Sequence, residues 1–65
     1  MKLIEKFQIV DILNQYTTNK INFKELSGLI FDKNYEVHTF NRINKHLVLV
    51  EVYSTITNKT YQITN

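Results

Sequence analysis

The apolar residues of the stretch Asn34–Leu47 recur at spacings of three, three and four, as Val37, Phe40, Ile43 and Leu47. Because about 3.6 residues complete one helical turn, these positions share one face of a helix. The opposite face carries the polar stripe His38, Arg42 and Lys45. A strand would need strict alternation, which Phe40 and Asn41 break. The spacing therefore predicts a helix over 34–47.

Two further helices precede this stretch. Leu3 to about Tyr16 carries apolar residues around more than half of the helix circumference, a wider arc than the face of a typical surface helix. We expect either a central helix packed on two sides or a helix whose extra apolar face meets a partner subunit. A second, shorter helix is predicted from Phe23 to about Ile30.

The start of the second helix has the strongest local signal. Asn22 and Glu25 stand at the spacing of a capping box, and Ile21 and Leu26 flank them at the positions of a hydrophobic staple. Asn19 is suited to a left-handed C-terminal position of the first helix. Gly28 weakens the second helix unless another backbone approaches closely there.

After Leu47 the pattern changes to a period of two, which predicts a β-hairpin. Asn58-Lys59 is a suitable two-residue turn because Asn tolerates positive φ. That register pairs Ile56 with Tyr61 and Ser54 with Ile63, on the face of the apolar positions Val48, Val50 and Val52. The face turned to solvent carries Glu51, Tyr53, Thr55, Thr60, Gln62 and Thr64.

Composition narrows the possible functions only slightly. A chain of 65 residues predicts one domain, 1–65, and the absence of cysteine excludes disulfides and thiolate chemistry. We expect neither a metal nor another cofactor, and no carboxylate pair, phosphate loop or nucleophile constellation indicates an enzyme. No apolar run reaches membrane-spanning length, and Glu5 and Asp11 interrupt any signal sequence. The expectation is an intracellular, cytoplasmic protein without a membrane partner.

The order helix, helix, helix, hairpin resembles the winged helix-turn-helix family of small DNA-binding domains. The resemblance depends on Glu25-Leu26-Ser27 in the second helix, on Ile30 at its end, and on Val37 and Phe40 as buried positions of a recognition helix. The hairpin takes the place of the wing. The implied fold class is α+β, with three helices followed by a C-terminal β-hairpin wing.

This resemblance implies that the helix at 34–47 enters the major groove of double-stranded DNA. Arg42 is then the candidate for a bidentate guanine contact, flanked by His38 and Lys45. The other candidates for contacts with the DNA backbone are Lys33, Asn34, Tyr35, Asn41, Asn58 and Lys59. A net charge of +2 permits such a partner but does not require it. The function this implies is that of a small transcriptional regulator of phage or mobile-element type. A possible homodimer through helix 1 would bind two half-sites of its operator.

Two alternatives remain. The polar stripe could be an ordinary solvated face, and the protein could be a small phage-type interaction module that inhibits a host enzyme. Tyr35, Phe31 and Tyr53 would then be exposed aromatic anchors. The alternative fold makes Tyr35–Ile43 a strand, which gives two helices and a three-stranded antiparallel meander.

Overall fold

The computed structural model describes residues 1–65 and shows two helices on one face of a three-stranded antiparallel sheet. The helices are α1 (Leu3–Thr17) and α2 (Phe23–Phe31), and the strands are β1 (Tyr35–Arg42), β2 (Val48–Ser54) and β3 (Thr60–Thr64). The strand order is β1-β2-β3, with α1 packed against β3 and α2 against β1. The α+β class is therefore confirmed in its two-helix, three-strand form.

The first two of the three predicted helices are present, each ending one residue later than expected. At the start of α2, the Glu25 N–H donates to Asn22 Oδ1 at 2.8 Å, and the Asn22 N–H donates to Glu25 Oε1 at 3.0 Å. This reciprocal pair confirms the capping box. Asn19, after α1, has φ 62°, which confirms its left-handed conformation.

The predicted third helix is wrong, because residues 35–42 form the strand β1. The pairing of β1 with β2 shifts by one residue between Val37 and Thr39, which marks a β-bulge at His38. One extra residue restores the alternation: Val37 opposes Val52 and Phe40 opposes Val50, so both face the core. The bulge therefore explains the three-residue spacing between Val37 and Phe40, which led to the prediction of a helix.

The loop after β1 explains the remaining polar residues of that stretch. The Asn44 side chain accepts hydrogen bonds from the backbone N–H groups of His46 (2.9 Å) and Leu47 (3.0 Å). Ile43, which the helical pattern placed in the core, is 52% exposed in this loop. Asn34, at the start of the predicted helix, has a φ of 69°, which places it in a left-handed conformation in the turn before β1.

The C-terminal hairpin is present, but its register differs from the prediction. Val52 pairs with Tyr61 and Val50 with Ile63, whereas Ile56 is 71% exposed in the connecting loop. The Ser54 hydroxyl accepts hydrogen bonds from the Ile56 and Thr57 N–H groups at 3.3 and 3.1 Å. These bonds close the loop, so β2 ends at Ser54 and does not continue to Ile56 as predicted. The shift is an even number of residues, so the inward and outward faces are as predicted.

The core lies between the helices and the central strand. Its fully buried side chains come from α1, α2 and β2: Ile9, Leu13, Leu26, Ile30, Val48, Val50 and Val52. The strand β2 alternates buried and half-buried positions along its whole length, because it has neighbours on both edges and helices on one face. This single small core positions every surface described below.

The capping box supplies a direct test of the local stability of α2. We expect Asn22→Ala to lower the free energy of unfolding by about 1 kcal/mol, since it leaves N-terminal amide groups of the helix without a partner. Urea denaturation of both proteins measures this difference. Asn22→Ser is the control, because a serine hydroxyl at the N-cap can still accept from the Glu25 N–H, and its expected loss is only a few tenths of a kcal/mol. Equal losses for the two variants would contradict the role of the Asn22 side chain.

Candidate binding surfaces

The residues predicted to contact DNA are distributed over the molecule. Lys33, Asn34 and Tyr35 lie at the start of β1, at the same end as the loop that contains Asn58 and Lys59. Thr55 links the two segments, because its N–H donates to the Asn34 carbonyl at 3.0 Å. Lys45 and Arg42 lie at the opposite end, a distance of roughly 23 Å along an eight-residue strand. The structure therefore brings together only part of the predicted set.

Arg42 is engaged within its own loop. Its Nε donates to the Asn44 carbonyl at 3.2 Å, and one terminal nitrogen donates to the Lys45 carbonyl at 2.8 Å. The guanidinium carbon also lies 5.4 Å from the centre of the Tyr16 ring, at cation–π distance. Arg42 would have to break both of these hydrogen bonds before it could make a bidentate contact with guanine.

The uncovered face of the sheet carries His38 and Asn41. The His38 ring stacks on Tyr53 with 5.0 Å between the ring centres, and its Nε2 lies 3.7 Å from Glu36. The Tyr53 hydroxyl donates to the Asn58 side chain. With Glu36 and Glu51 and no lysine or arginine among its outward residues, this face is unfavourable for phosphate.

A cleft of about 590 Å³ opens at the end of the molecule where β1 begins. The Tyr35 ring is buried beneath it, and its hydroxyl donates to Glu5 Oε2 at 3.1 Å. Tyr61 lies beside it, with 6.4 Å between the two ring centres. The lining residues are Met1, Lys2, Glu5, Lys33, Asn34, Tyr35, Ser54, Ile56, Thr57 and Tyr61.

The pKa values of the two tyrosines of this cleft are shifted in opposite directions. Burial, and then the hydrogen bond to the Glu5 carboxylate, raise the pKa of Tyr35 because each disfavours the phenolate. The pKa of Tyr61 is lowered, first by its hydrogen bond with the Met1 amine, although desolvation opposes this shift. Tyr35 is therefore an internal structural group and was wrongly placed among the exposed anchors.

The outer surface of the helices exposes large apolar side chains. Leu3, Ile4 and Phe7 on α1 are 64%, 61% and 58% exposed, and Leu29 on α2 is 38% exposed. Phe7 and Leu29 line the same groove between the helices. We refer to Leu3, Ile4, Phe7 and Leu29 as the α1 patch. The wide apolar arc of α1 was the sequence signal for it, but which part of that arc is uncovered depends on where α2 and β3 pack.

A second exposed apolar surface lies on α2, where Phe23 is 45% and Phe31 is 62% exposed. Phe31 is therefore exposed, as expected, and its role as an anchor stays a prediction. Tyr53, the third expected anchor, is half-buried beneath His38. Two of the three anchors are therefore covered by the chain itself.

Comparisons with protein-family models, with curated proteins and with solved structures found no match to this chain. Neither helix has the length and apolar character needed to cross a membrane. No group of three or more histidine, aspartate or glutamate side chains is placed to hold a metal ion. The surfaces themselves are therefore the basis for a functional proposal.

The raised pKa of Tyr35 predicts a loss of stability at alkaline pH. Its stabilising contribution is complete below the unfolded-state pKa of about 10 and is lost as the pH rises through the higher folded-state pKa. We expect Tyr35→Phe to unfold more easily at neutral pH, by about 1 kcal/mol for the lost hydrogen bond. Above pH ~10 the difference from wild type should narrow. Urea denaturation across pH measures both, and a constant difference would contradict the assignment.

Proposed function

We propose that this protein is a small interaction module that binds a partner protein through the α1 patch. The observation that carries the proposal is the exposure of Leu3, Ile4 and Phe7 on consecutive turns of α1. Contiguous exposed apolar surface of this kind is uncommon on a monomer and is typical of interaction sites. The neighbouring Leu29 extends it across the helix–helix groove.

The energetics favour a hydrophobic contact. Full burial of one large apolar side chain is worth about 1.5–3 kcal/mol, and most of this gain is still available for residues that are more than half exposed. Aromatic side chains in particular dominate the binding energy of protein interfaces. Phe7, at the centre of the patch, is therefore the residue expected to contribute most.

The charges around the patch describe the partner. Lys2 is the N-cap residue of α1 and Lys6 lies on its first turns, while Lys33 lies across the groove, where its Nζ donates to Gln8 Oε1 at 3.3 Å. Asp11, in the same groove, accepts a hydrogen bond from Gln15 Nε2 at 2.9 Å. Glu5 at this end is already used, since its carboxylate accepts from Tyr35 and from the Lys2 N–H. A partner surface with an apolar centre and an acidic rim complements this arrangement. If that surface is the active site of an enzyme, the module is an inhibitor.

DNA binding stays a prediction that these observations support less well. Its principal residue, Arg42, bonds within its loop, and the stretch that would enter the major groove is an edge strand. Two carboxylates lie on the open face of the sheet, where phosphates would otherwise have access. The experiment below includes DNA as a separate arm.

We expect Phe7→Lys to abolish capture of a stoichiometric partner from a nuclease-treated lysate of the encoding organism. The reason is the loss of the central apolar contact, worth about 2 kcal/mol or roughly 30-fold in affinity. Ile56→Lys is the matched control, because Ile56 is an apolar residue outside the patch that is even more exposed than Phe7, at 71% against 58%. Immobilised protein with quantitative mass spectrometry measures the captured amounts.

Capture that persists in Phe7→Lys would contradict the proposal. So would the absence of any partner together with binding of random duplex DNA. In that case affinity should fall with salt at a log–log slope of about −0.9 for each phosphate contacted. Such a result would favour the DNA prediction.

A further inference from the structure

Four of the eight lysine and arginine residues lie at one corner of the molecule. Lys20 and Arg42 line the same pocket of about 480 Å³, between the loop that joins α1 to α2 and the end of β1. Lys24 lies on the first turn of α2, and the Lys45 carbonyl accepts a hydrogen bond from Arg42 at 2.8 Å. We call Lys20, Lys24, Arg42 and Lys45 the basic corner.

The positive charge of the basic corner is not neutralised within the chain. Glu25 is the only carboxylate that lines the pocket, and its Oε1 already accepts from the Asn22 N–H in the capping box. The only ion pair of the molecule joins His38 and Glu36, on the open face of the sheet. Four cations beside one carboxylate exceed the net charge of +2 of the whole chain, so the remaining residues are together slightly negative.

Arg42 is already held in position for a ligand. Its Nε and Nη2 donate to carbonyls of its own loop, and its guanidinium carbon lies 5.4 Å from the centre of the Tyr16 ring. Its Nη1 makes no hydrogen bond. Because a guanidinium has five N–H donors and stays charged, Nη1 can donate to a phosphate oxygen while the two loop bonds remain. A cation fixed in this way loses little conformational entropy on binding.

An exposed aromatic ring lies among these cations. Phe23 lines the same pocket and is 45% exposed. Its ring contacts Phe40 edge to face, with 5.0 Å between the ring centres, and Phe40 contacts Tyr16 in the same manner at 5.2 Å. The contact with Phe40 fixes the Phe23 ring and covers at most one of its two faces. A flat ligand can therefore stack on the other face.

We propose that the basic corner and Phe23 bind a single-stranded polynucleotide, with one base stacked on Phe23 and phosphates bound by the four cations. Proteins bind single strands by aromatic rings set in positively charged grooves, which is the combination found here. The bases of a duplex are stacked on one another, so a duplex offers Phe23 no base to contact. RNA and single-stranded DNA share the chemistry that this surface recognises. The basic corner is separate from the α1 patch, so the inference does not depend on the proposed function.

Fluorescence anisotropy with labelled oligouridylate and oligothymidylate of about 12 nucleotides, within the range of single-strand site sizes, tests the stacking contact. We expect wild type to bind at low salt, and the tighter of the two oligonucleotides identifies RNA or DNA as the ligand. Phe23→Leu keeps an apolar side chain but removes the ring, so it should weaken binding roughly tenfold, or about 1.4 kcal/mol, with an unchanged circular dichroism spectrum.

Phe31→Leu is the matched control, because Phe31 is an even more exposed ring on the same helix but lies outside the pocket. It should bind like wild type. Equal weakening of the two variants would overturn the inference, as would wild type that binds neither oligonucleotide at low salt.

The salt dependence of binding tests the phosphate contacts. Each contact with a single strand contributes about −0.7 to the log–log slope of affinity against salt, so Lys20→Gln should make the slope shallower by that amount. Lys59→Gln, an exposed lysine at the opposite end of the molecule, is the control and should keep the wild-type slope. A change of slope in Lys59→Gln and none in Lys20→Gln would contradict the site.

Two competitors without an unstacked base complete the test. A duplex of the same length and polyglutamate both carry a row of negative charge, and both should displace the labelled single strand less effectively than an unlabelled single strand does. Displacement by either competitor at the concentration of the single strand would overturn the inference, because charge alone would then account for binding.

Discussion

The pairing of β1 with the central strand depends on one extra residue, His38. The bulge there changes which side chains face the core, so that Val37 and Phe40 both oppose valines of β2. Without the bulge, the Phe40 side chain would be directed to the open face of the sheet. It would then lose its edge-to-face contacts with Tyr16 and Phe23, whose ring centres lie 5.2 and 5.0 Å from its own. The contact of α2 with the sheet, and therefore the position of both apolar surfaces, follows from this single insertion.

Local signals in the sequence were sufficient where short-range hydrogen bonds decide the structure. The Asn22–Glu25 capping box and the left-handed conformations of Asn19 and Asn58 involve neighbours within a few residues, and all were predicted. The inward and outward faces of the hairpin were also predicted, because alternation is local. These features account for both helices and the two C-terminal strands.

Features that depend on the partner strand could not be predicted. The bulge at His38 has no sequence signal, and its effect on apolar spacing is the same as that of a helical turn. The hairpin register depends on Ser54, whose hydroxyl closes the loop. Among the predicted site residues, Lys33, Asn34, Asn58 and Lys59 do lie at one end of the molecule, while Arg42 and Lys45 lie at the other because their segment is extended.

The surfaces divide into three according to what the chain leaves uncovered. The open face of the sheet is polar, the α1 patch is apolar with a lysine rim, and the free edge of β1 lies beside the exposed Phe23 and Phe31 of α2. A 65-residue chain forms only a small hydrophobic core, and large apolar residues left exposed on two helices are therefore candidates for contacts with a partner.

Amide hydrogen exchange along β1, measured by NMR, tests the placement of β1 as a bulged edge strand most directly. The account predicts slow exchange at Glu36 and Asn41, since their N–H groups face β2. Val37 and Phe40 should exchange rapidly, because their N–H groups face the free edge of the strand. Uniform protection over residues 35–42, as in a helix, would contradict it.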